Sequence, residues 1–201
     1  EPVAVAASPE QADGARQALP AGVEVVELAA DDAWMRDIGP TFVLVVRGRR
    51  RGVVWTFNTW GGALARLYRS WERDDTAAAR ILAIDGVDRY RAPFVLEGGA
   101  VHTDGKGTVL ATEEFLLDPA RNPGWTRATA EAARGRGIAT PRGVVPQLDQ
   151  RHDDAALAAF ESRFPDREVV GVPNREIPLG GGGIHCVTQQ VPAPRRLDAG
   201  R

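Results

Sequence analysis

Short apolar blocks along this chain alternate with stretches whose apolar positions recur at helical spacing, the pattern of strands separated by crossover helices. Residues 3–7 (VAVAA) and Val23 to Leu28 read as strands flanking a helix that ends before Pro20-Ala21-Gly22. Ser8 stands at its cap position, Pro9 in its first turn and Gln11 where a capping box places its second member. A polar loop, DDAWMRDIGP (31–40), leads to a strand TFVLVV (41–46), a turn RGRRRG (47–52) and a return strand GVVWTFN (52–58). The spacing predicts a helix over 72–84, a strand at 92–96 running into Glu97-Gly98-Gly99, and a hairpin around DGKG (104–107). A helix follows at 126–134, and 135–143 reads as a connector. The last portion is a strand at 143–148, a helix at 153–164 capped by Asp153 or Asp154, a strand at 167–172, a glycine run at 180–183 and a strand IHCVTQQ (184–190).

This order repeats. Three times a helix leads to a strand, the strand to a polar or glycine-rich loop, and the loop to another strand. The loops are 29–40, 97–99 and 173–183, and each unit carries one reactive residue in or just after its loop: Asp37, Glu97 and Cys186. Units packed around a common axis would bring equivalent loops, and so these three side chains, to one point.

Composition narrows the function classes. The 201 residues are 43% hydrophobic and 26% charged with a net charge of -2, a soluble globular balance without a field for nucleic acid or anionic membrane. No apolar run reaches the roughly 18 to 20 residues of a membrane span. Cys186 is the single cysteine, so no internal disulfide can form, and a cytoplasmic setting is expected. One cysteine and three scattered histidines give no metal-ligand spacing, and no cofactor is expected. The chain begins at Glu1 with a strand-like segment, which leads us to expect a further segment before it.

Two carboxylates and a thiol suit a flat, cationic substrate. A guanidinium presents its N–H donors in a fixed fork that a carboxylate accepts side by side. A thiolate can attack its carbon and expel ammonia, and water then releases a ureido product. The proton carrier is the open question. His152 reads as a surface residue before a helix, His185 as pointing away from Cys186 on a strand, and His102 as a hairpin residue, so none is a convincing partner. Bland readings stand beside these. A lone cysteine is more often inert packing, Asp31, Asp32 and Asp37 can be loop solvators, Trp34 and Trp60 can be core, and RGRRRG reads as a solvated hairpin tip.

At these residues the chain resembles the agmatine deiminase family, also called the bacterial peptidyl-arginine deiminase-type family. The resemblance rests on DDAWMRDIGPTFV (31–43), WTFNTWGG (55–62), VLEGGAVHTDGKGTVLATEEFLL (95–117) with RNP (121–123), FPDREVVGVP (164–173) and GGGGIHCVTQQ (180–190). It implies an α/β fold, a pentein-type β/α propeller of five pseudo-repeated units with a cysteine site on its axis. By motif, it implies Cys186 as nucleophile, Glu97 as the catalytic acidic residue, and Asp37 as the guanidinium-binding carboxylate. It further implies that Trp34 lines the site and that Gly183, standing where the family's glycine motif carries asparagine, is among the substrate-binding residues. The activity implied is hydrolysis of agmatine to N-carbamoylputrescine and ammonia, in polyamine (putrescine) synthesis. Peptidyl arginine is the alternative substrate, and an inactive guanidinium-binding remnant the alternative role. The family's Gly-His-x-Asp segment, which supplies a catalytic histidine and a second aspartate, has no counterpart here. About three of the five units are present, so residues 1–201 read as one partial domain, and homo-oligomerisation is one way for it to close.

Overall fold

The computed structural model describes residues 2–45, 48–103, 109–111, 113–132, 142–147, 150–163, 165, 168–174 and 176–193. Strand β1 (Val3–Ala7) and strand β2 (Val23–Glu27) pair in parallel, joined by helix α1 (Pro9–Ala18). Pro9 opens α1 as expected, but Ser8 makes no side-chain bond to the helix backbone, so the capping box does not form. Loop 28–34 then enters a one-turn helix, α2 (Met35–Ile38), inside what the sequence presents as a loop. Strand β3 (Thr41–Leu44) turns back into β4 (Arg50–Thr56), and β5 (Arg89–Val95) joins β4 in parallel to give the order β3-β4-β5.

Short helix α3 (Gly62–Ala65) and helix α4 (Glu72–Ile84) lie between β4 and β5. Strands β6 (Val101–Thr103) and β7 (Val109–Ala111) form an antiparallel pair, with the DGKG turn outside the described residues. Helices α5 (Glu113–Leu117) and α6 (Arg127–Ala132) follow. Strands β8 (Arg142–Gln147) and β9 (Glu168–Pro173) pair in parallel across α7 (Gln150–Arg163). Helix α7 starts before Asp153, so neither Asp153 nor Asp154 is its cap, and His152 is inside the helix.

The three parallel crossovers, β1-α1-β2, β4-α4-β5 and β8-α7-β9, are the recurring unit legible in the sequence. The third unit departs from the expected pattern. Residues 184–187 form a turn, and 184–190 contain no strand. In the first two units the strand after the loop, β3 or β6, is paired by the next strand of its hairpin. Residues 184–190 have no such partner among the described residues, and their polar groups bond locally instead: Cys186 N–H to the Gly183 carbonyl at 2.9 Å, Thr188 Oγ1 to the Ile184 carbonyl at 2.9 Å.

Helix α4 holds the middle of the molecule. Ala77 faces Leu28, Ile38 and Phe57, while Ala78 and Leu82 face Phe42 and Val54. Gly52 permits the second contact, because a Cβ there would fall 2.3 Å from both methyl carbons of Leu82. The start of α4 also pins the loops. Buried Asp74 accepts the main-chain N–H groups of Asp31 (2.7 Å) and Asp32 (3.3 Å), and Asp75 accepts that of Phe57 (2.8 Å). Asp31 returns the favour by accepting the N–H of Arg73 at 3.1 Å, which satisfies one of the orphan donors of the helix end. Arg50 and Arg51, expected at a solvated tip, lie in β4 and pair with Asp85 (2.6 Å) and Asp88 (2.7 Å). No helix among the described residues is long and apolar enough to cross a membrane.

Candidate functional site

The three reactive loops meet at α2. Asp37 lies in that helix, and its Oδ1 accepts the N–H of Gly99 at 2.9 Å. Its Oδ2 accepts the indole N–H of Trp60 at 3.2 Å. The 97–99 loop approaches so closely that a Cβ on Gly98 would stand 2.1 Å from the Arg36 carbonyl oxygen, and one on Gly99 2.6 Å from Asp37 Oδ1. This explains the two glycines after Glu97: any larger residue would hold the loops apart.

The glycine run closes the third side. The ring of Trp34 lies against it, and a Cβ on Gly182 would be 2.2 Å from the indole. Trp34 is itself oriented by Asp32, whose Oδ2 accepts the indole N–H at 2.9 Å and the hydroxyl of Tyr68. The turn bearing Cys186 is bonded to α2 directly, since the Cys186 carbonyl accepts the N–H of Arg36 at 2.9 Å. Cys186 is a free, half-buried thiol. Gly183 is different from its neighbours: a Cβ there would meet nothing within 4 Å, and its contribution is the carbonyl that accepts the Cys186 N–H.

Glu97 is 1% exposed. Its Oε1 accepts from Arg121 Nε at 2.8 Å, while its Oε2 is buried and has no partner among the described residues. Arg121 also binds Asp118 at 2.6 Å and covers the Phe115 ring. Asn122 fixes this arrangement by giving and accepting hydrogen bonds with the backbone of Val95, two residues before Glu97. The RNP stretch therefore acts on the acid. This task is not visible in the sequence, because Arg121 and Glu97 are 24 positions apart and no local pattern couples them.

Electrostatics at the junction follow from burial. Burial pushes the Asp37 carboxyl above the ordinary carboxylate range, against the N–H groups of Gly99 and Trp60 and the charges of Arg36 and Arg121. Burial likewise pushes Glu97 up, opposed by Arg121 and reinforced by Asp37. An arriving cation would relieve both. The histidines are placed differently from expectation. Because 184–187 is a turn, His185 does not alternate with Cys186 as on a strand, and its ring stacks on His102 with centroids 5.6 Å apart. Partial burial, then the Arg36 charge, then His102 push His185 below its ordinary value, which favours neutral imidazole able to accept a proton. His102, read from the sequence as only a hairpin residue, thus meets the ring of the residue that precedes Cys186.

Among the described residues no group of three His, Cys, Asp or Glu side chains could hold a metal ion. A separate groove of about 280 Å³ is lined by Phe94, Val95, Arg121 and Trp125 among others, but not by Trp34, Asp37, Glu97 or Cys186, so it is not the candidate site.

The chain as a whole is similar to known proteins. An agmatine deiminase of Pseudomonas aeruginosa (strain UCBPP-PA14) is 34% identical over 98% of this chain and 84% of its own length. One of Ectopseudomonas mendocina (strain ymp) is 33% identical, over 97% of this chain and 84% of its own. The solved structure described as agmatine deiminase of Enterococcus faecalis catalysing its reaction superposes with a TM-score of 0.86 at 29% identity, covering 98% of this chain and 84% of that one. The alignments to the two Pseudomonas-type relatives run over 310 and 309 positions against 201 residues here, so those proteins carry a long internal segment without a counterpart in this chain. The model of the family described as Porphyromonas-type peptidyl-arginine deiminase matches in two stretches, residues 1–142 and 138–192, and its break falls where the sequence passes from the RNP region to the last unit. Near-complete coverage by that family's model, together with identity above 30% to these relatives, establishes that the chain belongs to the Porphyromonas-type peptidyl-arginine deiminase family.

Proposed function

We propose that the protein is an agmatine deiminase-like hydrolase that takes a small cationic guanidinium compound, agmatine first among them. The observation that carries this reading is the meeting of the Asp37 helix, the Glu97 loop and the Cys186 turn at one junction, which joins a half-buried carboxyl, a buried one and the turn that bears a free thiol. The names of the relatives support the substrate. In this reading Asp37 accepts guanidinium N–H donors and Glu97, through its unpartnered Oε2, compensates the charge and serves as the acidic catalyst. The Cys186 thiolate attacks the guanidinium carbon, the carbon–nitrogen bond breaks, and ammonia leaves with a proton. Water adds to the thiouronium carbon, the carbon–sulfur bond breaks, and the ureido product leaves as the thiol is restored. For agmatine the products are N-carbamoylputrescine and ammonia, a step toward putrescine.

We assign the proton transfers to the His102–His185 pair, since the family's Gly-His-x-Asp segment is absent and these are the imidazoles placed beside the Cys186 turn. Trp34 walls the site and Gly183 leaves open space at its mouth. The repeated crossover units are arcs of a pentein-type propeller, about three of five, and residues 1–201 act as one partial domain. A second copy would close it. A reducing, cytoplasmic setting suits a reaction that needs Cys186 as a free thiol.

A colorimetric ureido assay of the purified chain with agmatine tests the proposal. Product that disappears in Cys186→Ser supports it, and the absence of Cys186-dependent product removes the claim of catalysis. The missing internal segment favours one rival, an inactive guanidinium-binding remnant. Calorimetric binding of agmatine without turnover would select that rival. The family description raises peptidyl arginine as a substrate, and competition between agmatine and an arginyl peptide ranks the two.

A further inference from the structure

Arg36 is the residue through which all three loops touch, and nothing in its sequence context singles it out beside Asp37. Its main-chain N–H holds the Cys186 carbonyl at 2.9 Å. Its side chain turns to the same segment: Nε donates to the His185 carbonyl at 3.3 Å, and Nη1 to the Gln189 side-chain oxygen at 3.2 Å. Its own carbonyl oxygen is the atom that a Cβ on Gly98 would strike at 2.1 Å. The side chain of Gln189 is seated in turn, since a Cβ on Gly39 would lie 3.5 Å from its Cγ. Arg36 is 8% exposed, and its Nη2 is buried with no partner among the described residues.

We propose that Arg36 is a positioning residue that clamps the 185–189 turn to α2 and so sets where the Cys186 thiol stands relative to Asp37. The physical case is comparative. A buried guanidinium whose side chain reaches only two neutral acceptors is an expensive way to hold a structure together. An apolar side chain would pack at lower cost but would leave the turn unfixed. That turn has no strand partner among the described residues to fix it, unlike β3 and β6. The rigid fork of guanidinium N–H groups replaces the missing ladder, reaching a main-chain and a side-chain acceptor four residues apart in one geometry. Burial works against the Arg36 charge, and the neighbouring Asp37 favours it. In its catalytic consequence this inference rests on the deiminase reading, but the clamp itself does not.

Amide hydrogen exchange of the full 201-residue chain tests the clamp without any turnover. In Arg36→Gln, exchange over 184–190 should rise about tenfold while α4 and β4 are unchanged, the loss of charge-assisted hydrogen bonds confined to one segment. Gln189→Ala removes one acceptor and leaves the guanidinium in place, so a smaller rise in the same segment is expected even if Arg36→Gln folds poorly. No change over 184–190 in Gln189→Ala, or an equal rise through α4 and β4 in either variant, would overturn the clamp. With agmatine as substrate, Arg36→Gln should lower kcat by about tenfold or more with KM within about threefold. Arg36→Lys should not rescue, because one ammonium cannot span both acceptors. Rescue by lysine would show that charge alone matters and would overturn the fork. If the unmodified chain turns over no agmatine, the deiminase reading falls, and the exchange comparison still decides the role of Arg36.

Discussion

The Gly99 main-chain N–H donates to Asp37 Oδ1 at 2.9 Å, joining residues 62 positions apart and fixing the carboxylate that is proposed to grip a guanidinium. The bond exists only because Gly98 and Gly99 carry no side chain. An alanine methyl at Gly98 would meet the Arg36 carbonyl, a backbone atom that cannot swing aside. Gly98→Ala should therefore part the loops and lower kcat/KM for agmatine by about a hundredfold. Gly183→Ala, where added carbon meets open space, should leave kcat/KM within about threefold. Steady-state assays of the two variants side by side check the pair.

Binding and stability should respond to acid with opposite signs. Asp37 and Glu97 have raised pKa values in the folded protein, so both take up protons at a pH above their ordinary 3.8 and 4.5. A cation is gripped only by the ionised forms, so the KM for agmatine should rise as pH falls through those raised values. The cost of burying two charges is fully present above them and is relieved as pH falls toward the ordinary values, so these groups favour folding in acid. His185 opposes them. Its folded pKa lies below the ordinary 6.5, so its contribution weakens as pH falls from 6.5 through the lowered value. Comparing melting temperature against pH for the unmodified chain and Asp37→Asn isolates the carboxylate. The variant should lose part of the acid-side gain.

Arg121 should matter more to Glu97 than any surface pair does to its partner. Both side chains are nearly inaccessible, at 8% and 2% exposure, and Arg121→Met would strand a buried carboxylate. A loss of about 3–5 kcal/mol is expected, measured by urea unfolding at neutral pH. The loss should shrink as pH is lowered enough to protonate Glu97, which separates the stranded charge from lost packing.

Asp74 gives a stability test away from the chemistry. Asp74→Ala leaves the N–H groups of Asp31 and Asp32 without their acceptor and should cost about 1–3 kcal/mol. Asp74→Asn keeps an acceptor oxygen and removes a charge that burial first, and then repulsion from Asp31 and Asp32, disfavour. Its cost at neutral pH should be much smaller, and chemical denaturation of the two variants checks the difference.

Legibility followed the range of the interactions. Helix α4 falls at the predicted 72–84 because its apolar positions and acidic first turn are local signals. Strands β1, β2, β5, β8 and β9 were readable from short apolar blocks bounded by turn residues. The convergence of Asp37, the Glu97 loop and the Cys186 turn was legible through the repeat, because equivalent positions in repeated units share a place in the fold. One-turn helix α2 was not, since four residues carry no period. The tasks of Arg36 and Arg121 were hidden for a different reason: 24 of 201 positions are arginine besides the single lysine, and nothing local marks two of them.

The amino-acid sequence by itself determined the local elements, the lone thiol, the acids that accompany it and the glycines that let loops approach. Tertiary structure alone decided that 184–187 is a turn and that 184–190 holds no strand, that His185 stacks on His102, and that Arg36 spans to residues 149 and 153 positions away. A strand is a relation between two segments. Apolar alternation can propose one, but without a neighbouring strand to receive them its N–H and C=O groups are satisfied within the turn and by Arg36, and the side chains turn accordingly.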